Sequence, residues 1–160
     1  MKRAMVFIIF ITLAFSGPAF AIDKPDFSGK WTLDMGKSDM GKARLPGSLE
    51  ASKLTIVIKQ TQSVLATTRN VGRGPETTIL KLDGSESINK SPSGLDIRST
   101  SRWEGPTLVT KSVMSTEHGT TESTLVRSLS VDGKVMTIDT TTKTSAGSGE
   151  LKQKLIYNKQ

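Results

Sequence analysis

From Leu54 onward the chain runs in short β-branched, Thr-rich stretches in which apolar and polar positions alternate, broken by turn residues roughly every eight to twelve positions. Alternation with a period of two puts successive side chains on opposite faces of an extended backbone, so the pattern argues for strands. The runs predict strands at Lys30 to Asp34, Leu54 to Gln60, Val64 to Asn70, Thr77 to Leu82, Ser85 to Asn89, Leu95 to Trp103, Thr107 to Met114, Thr120 to Val131, Val135 to Thr144 and Leu151 to Asn158. Between them Asp83-Gly84, Glu104-Gly105-Pro106, His118-Gly119 and Asp132-Gly133 supply residues that accept positive φ or fix a bend, and each reads as a hairpin joining sequential neighbours. A meander of this many strands leaves two open edges unless it closes on itself. The expected fold is therefore all-β, a closed antiparallel up-and-down β-barrel of about 8–10 strands. Only Met35 to Ser52 breaks the rhythm; it holds Gly36, Gly41, Pro46 and Gly47, shows no sustained helical period, and reads as a long loop with room for one helical turn.

The first residues follow a different logic. Met1, Lys2 and Arg3 precede an apolar run from Ala4 to Phe15, and Ser16-Gly17-Pro18-Ala19-Phe20-Ala21 then offers an Ala-x-Ala cleavage site. Residues 1–21 thus read as a signal peptide and residues 22–160 as one exported domain. The apolar run is short for a membrane span and nothing later replaces it, so a protein that does not span the membrane is expected. Without cysteine, residue 22 cannot be lipidated and no disulfide can staple the fold, so stability must come from the core. A cysteine-free exported domain fits a bacterial periplasm or medium better than an animal secretion.

Removal of Lys2 and Arg3 with the leader takes the formal charge from +7 to +5, spread along the chain and interleaved with acids. With no recognition helix and no aromatic stacking platform, this excess reads as a solvated surface and nucleic acid is not an expected partner. After the leader only Phe27, Trp31, Trp103 and Tyr157 are aromatic. The interior must be filled by aliphatic side chains, by water or by a ligand.

Candidate chemistry is sparse. Arg127 alternates with Leu125, Leu129 and Val131, which puts its guanidinium on an apolar face, where a cation must be paired, hydrated or waiting for an anion. Tyr157 shares a face with Leu151, Gln153 and Leu155 on the last strand, within reach of the same interior. Arg69 has two registers: with Leu65 and Thr67 inside it is a second inward cation, and with Val64 and Ala66 inside it faces solvent. Trp103, on the face of Ile97, Ser99 and Ser101, either walls a ligand or fills the core. The lone His118 sits at a hairpin tip without the partners that zinc requires. No phosphate loop or nucleophile elbow is present, so no cofactor and no catalytic residue is expected.

The stretch Phe27-Ser28-Gly29-Lys30-Trp31 resembles the Phe-x-Gly-x-Trp opening of the calycin families, the lipocalins and fatty-acid-binding proteins. The later order resembles the second of these: Ile58-Lys59-Gln60, Val64 to Arg69, Glu76 to Leu82, Ser99 to Trp103, Thr124-Leu125-Val126-Arg127, Asp132-Gly133-Lys134 and Ile156-Tyr157-Asn158-Lys159. The resemblance implies a ligand-binding barrel with Trp31 plugging one end. Two departures stand out. Met35 to Ser52 is too short and too rich in Gly and Pro for the family's helical lid, implying a less covered mouth. Leu155 also occupies the place of one of the two carboxylate-binding arginines, while Arg127 resembles the other.

The leading expectation is thus an exported carrier of a small lipophilic ligand, an anion by preference, held near Arg127 with Tyr157, Leu155, Trp103 and Arg69 as candidate contacts. The alternative is an envelope or secreted interaction protein, such as an inhibitor, with a filled barrel and a protein partner. A small cofactor-free isomerase or cyclase using Arg127 and Tyr157 comes third, since acid–base work normally wants a His or a tuned carboxylate facing the cavity.

Overall fold

The computed structural model describes residues 24–42, 54–70, 74–147 and 149–160. The leader and residues 43–53 of the long loop lie outside them. Ten strands follow one another: β1 (Gly29–Leu33), β2 (Thr55–Gln60), β3 (Val64–Asn70), β4 (Pro75–Lys81), β5 (Glu86–Lys90), β6 (Asp96–Glu104), β7 (Thr107–Thr116), β8 (Gly119–Leu129), β9 (Val135–Thr144) and β10 (Glu150–Lys159). They form one antiparallel sheet in the order β4-β3-β2-β1-β10-β9-β8-β7-β6-β5, so the meander returns to pair its first strand with its last. This is the expected up-and-down barrel. Predicted strand ends differ by a residue or two, and the one with consequences is β8. It stops at Leu129, and Val131 stands fully exposed in the Asp132-Gly133 hairpin rather than on the inner face with Arg127.

The first stretch of the long loop does not leave the barrel. After a turn in which the Asp34 carboxylate accepts the backbone N–H groups of Gly36 and Lys37 (3.1 and 3.2 Å), Asp39 rejoins β10 through a two-way bridge to Lys154. Gln153 Nε2 then donates to the Met40 carbonyl at 3.3 Å.

Closure is incomplete at one place. The Asp83-Gly84 turn joins β4 to β5, but these two strands share no backbone ladder, contrary to its reading as a hairpin. Side chains bridge the seam instead. The Asn89 carboxamide accepts from the Ile79 N–H at 2.8 Å and donates to the Ile79 carbonyl at 2.9 Å, as a neighbouring strand would. Ser87 Oγ accepts from the Lys81 N–H at 2.8 Å. Replacing Asn89 with Leu removes both partners of Ile79, and the expected loss is about 1 kcal/mol. Hydrogen exchange should quicken at the Ile79 amide while amides paired between β3 and β4 stay protected; unchanged exchange there would show that the carboxamide does not hold the seam.

The core gathers at the end where β1 begins. Phe27 and Trp31 are fully buried with Ile58, Leu65, Leu108 and Met136, and Leu33 is buried beside them. The Trp31 indole N–H donates to the Phe27 carbonyl at 2.9 Å, and Lys159 Nζ lies 5.2 Å from its ring centre. The opposite end carries the β7–β8 hairpin.

Candidate functional site

Above this floor the barrel encloses a cavity of about 240 Å³. Ile56, Leu80, Leu125, Ile138 and Leu155 give it apolar walls, and Thr67, Thr78, Ser99, Thr110, Ser112 and Thr140 give it hydroxyls. Arg69, Arg127 and Tyr157 face the same space, so four of the five residues singled out in the sequence meet in one cavity.

Arg127 is held deep. Its neighbours in register are Leu108 on β7 and Ile138 on β9, both buried, and the residue is only 6% exposed. Its Nε has no hydrogen-bond partner, and none of the ion pairs among the described residues includes it. What it has is an aromatic face: the guanidinium carbon lies 5.7 Å from the centre of the Phe27 ring. Phe27 in turn stacks on Trp103, with centroids 5.9 Å apart and planes 10° from parallel, and Lys24 Nζ is 5.9 Å from the Trp103 ring centre. The π-faces supply some of the stabilisation that a carboxylate would otherwise give. Burial pushes the Arg127 pKa down to about 10, against a smaller upward pull from Tyr157, so the group still carries its charge at neutral pH.

Tyr157 is buried beside it. Desolvation raises its phenol above the ordinary value near 10, while Arg127 and, less strongly, Arg69 pull it back, which places both cations within electrostatic reach of its oxygen. As this is the only tyrosine, an absorbance titration reads it alone. The phenol is expected to stay neutral past pH 10 in the folded protein. An unfolded chain ionises near 10, so stability that is fully present below that pH should be lost as pH rises through the higher folded value. Phenolate appearing at or below pH 10 before any unfolding would contradict the buried placement.

Arg69 resolves its two registers inward, because Leu65 on the same face is completely buried. It does not arrive as a free cation. Its Nε and Nη2 both donate to Glu76 Oε2, at 3.2 and 3.1 Å, and its side chain is 54% exposed, so it sits near the open end of the cavity. Leu155 contributes apolar wall. Trp103 stands apart from the cavity: it packs on Phe27 toward the floor and borders a shallow outer depression with Lys24, Gln60 and Leu82. His118 is exposed on the β7–β8 turn, 3.4 Å from the Glu117 carboxylate.

Two features of the site do not stand out in the sequence. Phe27 opens a motif there and in the fold is the platform beneath Arg127. The sequence puts Ser99 and Ser101 of β6 on the face of Ile97 and Trp103 without giving them a role, and it does not single out Thr110 and Ser112 of β7, although hydroxyls at every second position on a strand are the signal that marks them.

Neither a protein-family model nor a curated protein matches the chain. Solved structures do. A structure described as the REP1-NXSQ fatty acid transporter superposes with a TM-score of 0.58 at 15% identity, covering 84% of this chain and 96% of that one. Apo lipid binding protein 8 of Caenorhabditis elegans superposes with a TM-score of 0.59, again at 15% identity, covering 84% and 95%. At this identity the likeness is one of architecture, and it agrees with the Phe-x-Gly-x-Trp opening: the chain has a calycin-like up-and-down barrel fold.

Proposed function

We propose that the protein is an exported carrier that holds a small lipophilic anion inside the barrel, its acidic end on Arg127 and its apolar body against Ile56, Leu125, Ile138 and Leu155. One observation carries the reading: a guanidinium buried at the base of a cavity, its Nε unpartnered and no acid paired with it among the described residues. Buried charges are ordinarily matched, and the planar fork of arginine matches a carboxylate or similar group best. Tyr157 adds a hydroxyl beside the same position. The fatty acid transporter and lipid binding protein of like fold support a lipophilic cargo. Residues 1–21 supply the export signal, so the cargo would be met in a periplasm or in the medium.

The test is native mass spectrometry of the protein purified from a host that exports it, followed by solvent extraction of whatever copurifies. A discrete added mass, extractable as an organic acid and absent from Arg127→Ala, is the expected result. Protein that stays bare across growth conditions and also fails to bind added medium-chain acids would overturn the carrier reading, and recovery of a tight protein complex instead would replace it with the interaction reading.

A further inference from the structure

The cavity carries more polar capacity than a plain hydrocarbon tail can use. Register places three inner rows one above another. The lowest is Leu108, Arg127 and Ile138; two residues up lie Ser101, Thr110, Leu125 and Thr140; two residues further lie Ser99, Ser112, Ser123 and Thr142. At about 3.3 Å of rise per residue the two upper rows stand roughly 7 and 13 Å along the strands from Arg127. Hydroxyls therefore dominate the wall formed by β6 and β7, and across the barrel β2 and β10 present Ile56 and Leu155.

These hydroxyls pair with one another across the strands. Ser101 Oγ and Thr110 Oγ1 are 2.9 Å apart and buried, as are Ser99 Oγ and Ser112 Oγ at 2.9 Å with partial burial. In such a pair one hydroxyl donates, and the acceptor's own proton is left over. No other side-chain hydrogen bond engages these four among the described residues, and Thr67 Oγ1, also on the cavity wall, is buried with no partner at all. An alkyl chain laid against this wall would strip water from groups it cannot satisfy.

We infer that the cargo is an oxygenated acid, one bearing a hydroxyl or keto group partway along its body, with that oxygen seated on the Ser99, Ser112 and Thr110 hydroxyls of the cavity wall. The inference rests on the carrier reading and sharpens it from lipophilic anion to hydroxylated or oxidised lipophilic anion. It makes Ser99, Ser112 and Thr110 specificity residues rather than strand filler.

The experiment is calorimetric titration of the purified protein with dodecanoic acid and with hydroxydodecanoic acids whose hydroxyl is walked along the chain. At least one hydroxylated acid should bind about tenfold more tightly than the plain one, which is the worth of one satisfied hydrogen bond in a buried wall. In Ser99→Ala with Ser112→Ala that preference should collapse while the plain acid binds as well or better. Plain acid binding as tightly as every hydroxylated one would overturn this inference and leave the carrier reading standing; no binding of any acid would remove both. The wild-type comparison decides the matter even if the double variant fails to fold.

Discussion

Arg127→Met is expected to make the empty protein more stable and to remove anion binding in the same step. Met nearly matches the length of the arginine stem, is unbranched, and adapts to irregular space, so it can fill the position without a large cavity. The charge it removes is costly: burial that pushes the Arg127 pKa down to about 10 corresponds to roughly 3 kcal/mol of unfavourable desolvation. Loss of the contact with the Phe27 face returns about 1 kcal/mol of that. The net gain is about 2 kcal/mol, or about 6 °C in Tm. Ligand affinity moves the other way, because a charge-assisted fork contributes about 3 kcal/mol and its loss weakens binding about 100-fold. Thermal melts of ligand-free protein, beside titration with a medium-chain acid, measure both. A folded variant that melts lower than the parent and binds acid equally well would show that the guanidinium serves the fold.

That pairing of effects separates a site from a structural ion pair. A salt bridge broken on one side leaves an uncompensated charge and destabilises. Among the described residues Arg127 lacks the other side, so its removal relieves a cost that the bound ligand would otherwise offset. Stability held below its possible maximum for the sake of a binding site is the usual exchange.

Much of this architecture is legible in the sequence because strand period and turn chemistry agree along the chain. Val64 to Asn70 and Val135 to Thr144 match the observed strands, since each is a β-branched run bounded by turn residues. Val131 misled because it continues the alternation of Leu125, Arg127 and Leu129 by parity, yet Ser130 and Asp132 have begun the hairpin: Ser130 donates to Asp132, and its backbone N–H already bonds back to Val135. The β4–β5 seam was not legible. An Asp-Gly turn between two strand-like runs gives no sign that Asn89 and Ser87 will take over from the backbone. At the site, parity alone placed Arg127 and Tyr157 inward, whereas Arg69 needed the burial of Leu65 to choose between registers. Trp103 could not be assigned from its own strand. Its partner Phe27 lies far away in the chain, and only tertiary packing turns the ring toward the floor. The hydroxyl wall was hidden by abundance, since Ser and Thr also mark turns and outer faces throughout.

Trp31→Ala should be the most damaging single substitution for stability. The residue is completely buried, the largest side chain in the core, and it ties together the elements that close the barrel end. β1 sets it between Ile56 on β2 and Lys159 on β10, the two neighbours through which the meander closes. Its truncation leaves a cavity against Phe27, Leu33 and Ile58, frees the Lys159 contact and leaves the Phe27 carbonyl without its donor. Cavity formation on this scale costs about 4 kcal/mol, which lowers Tm by about 15 °C in a domain this size. Because Trp103 is then the one remaining tryptophan, its fluorescence follows urea unfolding cleanly, and the midpoint should fall with little change in slope. The damage should also reach the site, since Phe27 is the surface on which Arg127 rests and Trp31 fixes the Phe27 backbone. Acid affinity in the folded fraction is expected to drop several-fold in Trp31→Ala and by less in Trp31→Phe, which keeps one aromatic ring in the floor but loses the indole donor to the Phe27 carbonyl. Equal affinity in all three proteins would mean that the floor does not position the cation.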